Sequence, residues 1–127
     1  MSEHQKTYMI DLNILHPMFP TKLEKVERLE DFVTKEVGFI HPLVILKTTR
    51  EKWLREQKAR PDILDPPKTS DPQAIIYQIR AGHNRIELLK KWGSTHAQCL
   101  LYDNYLDAGD KMREQVKWQK KHNVSLD

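Results

Sequence analysis

The chain has 127 residues, enough for one domain with a real core and too few for two comfortable ones. Its net charge of +3 permits an anionic partner without requiring one. The lone Cys99, in the apolar run "AQCLLY", excludes an intramolecular disulfide and a zinc ribbon, and the absence of any bilayer-length apolar stretch argues for a cytoplasmic protein with no membrane partner.

In chain order, "YMIDLNIL" (Tyr8 to Leu15) alternates as a first strand would, and Pro17 and Pro20 break it. Thr21 with Glu24 makes a capping-box pattern, Leu23, Val26, Leu29, Phe32, Val33 and Val37 follow at helical spacing, and Gly38 stands where a helix would stop. "HPLVILK" reads as a central strand, and Thr48 or Thr49 caps a helix over "REKWLREQKAR" that Pro61 ends. "PDILDPPKTSDPQ" is aperiodic and reads as an exposed loop. "AIIYQIRAG" is a strand, "NRIELLKKWG" a helix and "HAQCLLYD" a strand, with a last helix from Asp107 or Asp110 to about His122. This β-α-β-α-β-α-β-α order predicts an α+β (mixed α/β) domain over 1–127, a small mixed sheet with packed helices.

The corner Gly82-His83-Asn84-Arg85 carries the most chemistry. A helix opening just after a glycine presents unpaired amides and the positive end of its dipole, glycine lets a ligand approach, and arginine adds a fork of donors suited to phosphate. A purely structural corner remains the other reading, with Asn84 and Glu87 as a capping box and Arg85 paired with Glu87, Asp103 or another acid.

Taken with "VGFIHPLVIL" before it, "YQIRAGHNRIELLKKWG" resembles the ParB/sulfiredoxin-like superfamily, also known as ParB-like nuclease domains, over roughly Tyr8 to Asp103. The features that align are "GFIHP" leading into a strand, the G-x-x-R box at Gly82 to Arg85, and a helix running to Trp92-Gly93. The resemblance implies a nucleotide-binding module in which Gly82, His83, Asn84 and Arg85 hold phosphates and His41 lines the pocket. It implies CTP, as in partition proteins, or an adenine nucleotide, as in sulfiredoxins and free serine kinases, accompanied by Mg²⁺. The enzyme classes it opens are a weak NTPase, a phosphotransferase or a nuclease, with no catalytic base named. Glu30, Asp31, Glu36 and Glu87 are acids near in sequence to a metal so held. His83 stands where a sulfiredoxin has its cysteine, which disfavours sulfiredoxin chemistry.

Compared with compact members, the chain has a helix-plus-loop insert at about 48–73, and it adds a C-terminal helix at about 107–122. Both helices are basic. Arg50, Arg55, Lys58, Lys117 and Lys121 are candidate DNA contacts, while the bland alternative has Trp53 packed inward and the lysines in water. Met112 and Val116 form a narrow apolar stripe for docking on the body or on a second copy in a homodimer. The alternatives to a nucleotide module are therefore a DNA-binding protein or nuclease, and a non-enzymatic interaction factor of a phage or plasmid.

Overall fold

The computed structural model describes residues 6–35 and 41–121. Its strands are β1 (Tyr8–Asp11), β2 (Leu15–Pro17), β3 (Leu43–Thr48), β4 (Ile76–Ala81) and β5 (His96–Tyr102), and its helices are α1 (Leu23–Lys35), α2 (Arg50–Ala59), α3 (His83–Lys91) and α4 (Tyr105–Lys121). The five strands form one mixed sheet in the order β1-β5-β3-β4-β2. The α+β class and the small mixed sheet expected from the sequence are what the structure has.

The first strand is the clearest departure. The Asp11 carboxylate accepts the Asn13 amide at 2.8 Å, turning Leu12–Ile14 into a single 3₁₀ turn. The alternating run thus splits in two: β1 pairs antiparallel with β5 and β2 pairs parallel with β4, at opposite edges of the sheet. Four residues from Asp11 to Leu15 reach at most ~14 Å, whereas edges four strands apart in a flat sheet lie about 19 Å apart. The sheet is therefore curled, and its concave face encloses a core of Leu12, Leu15, Ile45, Ile79 and Cys99 that Ile86 of α3 completes.

Helix α1 packs on α3. It starts at Leu23, its first turn closed by the Val26 amide on the Lys22 carbonyl at 3.2 Å, one residue later than a Thr21 cap requires. Val26 and Leu29 are buried, but Leu23 is exposed. Gly38 and Val37 lie outside the described residues.

On the convex face, α4 covers Val44, Leu46 and Ala81 through Ala108 and the half-buried Met112. Val116 of the expected stripe is exposed, and the buried positions beyond Met112 are Gln115 and Gln119. Asn104 caps α4, accepting the Asp107 amide and donating to the Asp107 carboxylate, both at 2.9 Å, which moves the helix start upstream of the expected aspartates.

Thr49 caps α2, its hydroxyl accepting the Lys52 amide at 3.2 Å. Trp53 is fully buried among Met18, Ile63 and Ile76. The following segment is aperiodic, as expected, but not simply exposed. Ile63 is buried, Trp53 Nε1 donates to the Leu64 carbonyl at 2.9 Å, and the Leu64 amide donates to the Met18 carbonyl at 2.7 Å. These bonds fasten the 61–73 loop to α2 and to the β2–α1 connection.

Candidate functional site

The sequence motif lies where β4 turns into α3. Gly82 has φ +114°, a left-handed conformation that an L side chain rarely adopts, and an added Cβ would collide with Leu43 Cδ2. Helix α3 begins at the next residue, with the Ile86 amide on the Gly82 carbonyl at 2.9 Å. Gly82 is thus the N-cap itself, and the alternative of an Asn84–Glu87 capping box does not apply. His83, Asn84 and Arg85 all fall in the first turn, and all are buried.

Two of these side chains hold neighbouring segments. His83 Nε2 accepts the Met18 amide at 3.1 Å, placing the imidazole under the β2–α1 connection with Phe19 against it. Arg85, 1% exposed, donates through Nη1 to the His41 carbonyl at 2.8 Å and through Nη2 to Gln115 Oε1 at 3.0 Å. Gln115 Nε2 in turn donates to the Pro42 carbonyl at 3.1 Å. The guanidinium joins α3, the start of β3 and α4, where the structural alternative had expected Glu87 or Asp103; Asp103 pairs with Lys47 at 3.1 Å.

Two small clefts flank this turn. One, of about 200 Å³, lies between the β2–α1 connection and α3, with His83, Glu87, Lys90 and Thr21 among its lining. The other, of about 220 Å³, brings His41 and Arg85 together with Leu89 and His96. His41 is thus beside the box, its ring edge-on to Trp118 at 4.9 Å.

Of the candidate DNA contacts, Arg55 and Lys58 on α2 and Lys117 and Lys121 on α4 are exposed, while Arg50 is partly buried; Arg55 pairs with Glu51 at 3.3 Å. Glu30 accepts from Lys91 Nζ and Trp92 Nε1, both at 2.7 Å, and these donors hold its carboxyl below the usual range. Asp31 is exposed and Glu36 lies outside the described residues. No metal-ligand cluster of three acids, histidines or cysteines occurs among the described residues. Cys99 is fully buried and burial pushes its thiol up to about 12, so it is no nucleophile.

Sequence reasoning missed Gln115. Its signal was there: Ala108, Met112, Gln115 and Gln119 recur at helical spacing, which puts glutamines on an apolar face.

Among solved structures, a free serine kinase in complex with AMP matches with a TM-score of 0.53 and 18% identity, over 80% of this chain and 33% of that one. A variant of the same kinase in complex with ADP matches with a TM-score of 0.52 and 18% identity over the same shares. The chain shares the fold of the part of that kinase which it matches. It spans about a third of the length of the kinase structures it matches. Sulfiredoxin from Arabidopsis thaliana is a more distant likeness, with a TM-score of 0.45 and 14% identity over 87% of this chain and 97% of that one. No protein-family model matches the sequence, and no curated protein does. No described helix is long and apolar enough to cross a membrane.

Proposed function

We propose that this protein binds an adenine nucleotide, with the phosphates on the first turn of α3. The observation that carries the reading is the left-handed Gly82 opening α3 directly, in a fold shared with a kinase whose solved structures hold AMP and ADP. The main-chain amides of His83, Asn84 and Arg85 supply the donors, and the helix dipole and the buried Arg85 charge favour an anion there. The 200 Å³ cleft beside His83 gives room for phosphates, with Lys90 and Thr21 on its lining. Access to the amides requires the Met18–Thr21 segment to move aside, because His83 is bonded to the Met18 amide. Arg85 braces the site through the His41 carbonyl and Gln115.

A Mg²⁺ ion fits this arrangement as a phosphate-bound ion, since it keeps several waters and needs one or two carboxylates rather than a protein cage. Glu87, half-buried and lining the same cleft as His83, is the carboxylate for it. It would screen phosphate charge while α3 orients the chain.

Calorimetry with AMP, ADP, ATP, CTP and GTP, each with and without Mg²⁺, tests the reading. We expect an adenine nucleotide to bind best. Asn84→Asp keeps a side chain that suits a helix N-terminus while repelling phosphate, so affinity should fall at least about tenfold with folding intact by circular dichroism. Absence of binding by any nucleotide, or unchanged affinity in Asn84→Asp, refutes it.

DNA association has one observation in its favour: the exposed Lys58, Lys117 and Lys121 lie on α2 and α4, which pack on the same face of the sheet. Gel shifts across a salt series should then show affinity falling steeply with salt and weakening in Lys117→Ala. No shift at low salt removes this reading.

A further inference from the structure

A larger cleft, of about 490 Å³, lies at the other end of the strands from Gly82. Strands β3 and β5 are parallel neighbours that both end here, and the chain leaves them into α2 and α4. The two helices part over the convex face and leave a crevice at the carboxyl ends of these two strands. Its volume falls in the small-molecule range of about 300–1,000 Å³.

Leu46 and Thr48 form the floor. Thr48 is 2% exposed, and its Oγ1 has no hydrogen-bond partner of good geometry, although the Tyr105 hydroxyl lies close enough to interact with it. Leaving a buried hydroxyl so poorly paired is unfavourable, and a ligand oxygen accepting from it would relieve that.

The charges in the walls are unequal. Asp103 is taken by Lys47 at 3.1 Å, and Glu56 by the half-buried Arg80 at 2.9 Å. The ammonium of Lys52, in the first turn of α2, has no carboxylate partner among the described residues. The dipole of the ten-residue α2 adds positive potential at the same point.

We infer that this cleft binds a small organic anion, a carboxylate or a phosphate monoester, with its charge at Lys52 and an oxygen accepting from Thr48 Oγ1. Asn104 and Tyr105 close the opposite wall. Burial pushes the Tyr105 phenol up, so it stays a neutral donor at physiological pH. The insert, through α2, makes one wall of the site. The inference stands apart from nucleotide binding at α3.

Amide NMR titration of the full chain with benzoate, phenyl phosphate and the neutral benzyl alcohol tests it. One of the two anions should shift Thr48 to Lys52 and Asn104 to Tyr105 saturably, and the stronger of them identifies the head group. The Gly82 to Arg85 amides should stay in place. Lys52→Ala and Thr48→Val should each weaken binding about three- to tenfold, and Thr48→Val should fold normally because it deletes an unsatisfied hydroxyl. The inference is overturned if neither anion shifts the cleft amides, if benzyl alcohol binds as tightly as benzoate, or if Lys52→Ala changes nothing. Shifts confined to Gly82 to Arg85 also overturn it, while supporting the α3 site.

Discussion

Replacing Glu56 by glutamine tests the most enclosed ion pair described in the molecule. Arg80 Nη1 meets both Glu56 oxygens, at 3.0 and 2.9 Å, with side-chain exposures of only 9% and 12%. The arginine is placed there by a bulge: Val44 pairs with Ala81 and Ile45 with Ile79, so Arg80 is the extra residue of β4. Charges 2.9 Å apart attract by roughly 6 kcal/mol at an effective dielectric near 20, and much of that offsets the cost of taking both out of water.

Removing one partner exposes the desolvation cost of the other. Glu56→Gln leaves the guanidinium with Gln78 Oε1 at 3.0 Å and the Tyr105 ring at 5.3 Å, which soften the loss. We therefore expect about 3 kcal/mol, the lower end for a broken buried pair. With a urea m-value of about 1.5 kcal/mol/M, the unfolding midpoint should fall by about 2 M. The double replacement Glu56→Leu with Arg80→Met should return to within about 1 kcal/mol of the parent, since apolar packing replaces both charges. A midpoint shift under about 0.5 M for Glu56→Gln would refute the reasoning and leave Glu56 free for a chemical role in the cleft it lines.

Gly82→Ala should cost about 2–3 kcal/mol in chemical denaturation, from the left-handed backbone and the collision with Leu43; a loss below about 0.5 kcal/mol would contradict the corner geometry. Arg85→Lys should lose about 2–3 kcal/mol, because one ammonium cannot bridge the His41 carbonyl and Gln115 as the fork does, and an equally stable variant would deny the brace. The Cys99 thiol is raised from 9.0 to about 12, so the folded state keeps a proton that the unfolded chain releases as pH rises through 9.0. Stability should fall by about 1.4 kcal/mol per pH unit across that window, and Cys99→Ala should flatten the slope in denaturation curves. Glu30 is depressed by its bonds to Lys91 and Trp92, so its contribution is present at neutral pH and lost as pH falls through the lowered value. The thermal midpoints of Glu30→Gln and the parent should differ at pH 7 and converge as pH falls through that lowered value.

The elements legible in the sequence are those whose signals are local. Thr49 ahead of α2, the aperiodic run after Pro61 and the apolar "LVIL" of β3 all carry their own cues, and each lies within a residue or two of its expected place. The split of Tyr8 to Leu15 was not local. Period-two alternation continues through Leu15, and what divides the run is which strand each half pairs with, a matter of partners about 60 to 90 residues away. Asn104 was overlooked as a cap because Asp107 and Asp110 also suit a first turn; the structure uses Asp107 as the third helical residue, bonded back to Asn104.

Gly82 and Arg85 were legible as a pair, yet the sequence could not say what the arginine would face. A guanidinium one turn into a helix reaches phosphate as readily as it reaches a carbonyl, and the residues that receive it come from positions 41 and 115. Structural and functional readings of the corner therefore do not exclude each other. Arg85 fixes the first turn of α3 between β3 and α4, so the turn itself needs no further ordering, and the rearrangement an anion requires is confined to the Met18–Thr21 segment over His83. The bracing that buries the arginine is thus compatible with the helix start acting as a phosphate cradle, and the Asn84→Asp titration separates a cradle from a corner that is only structural.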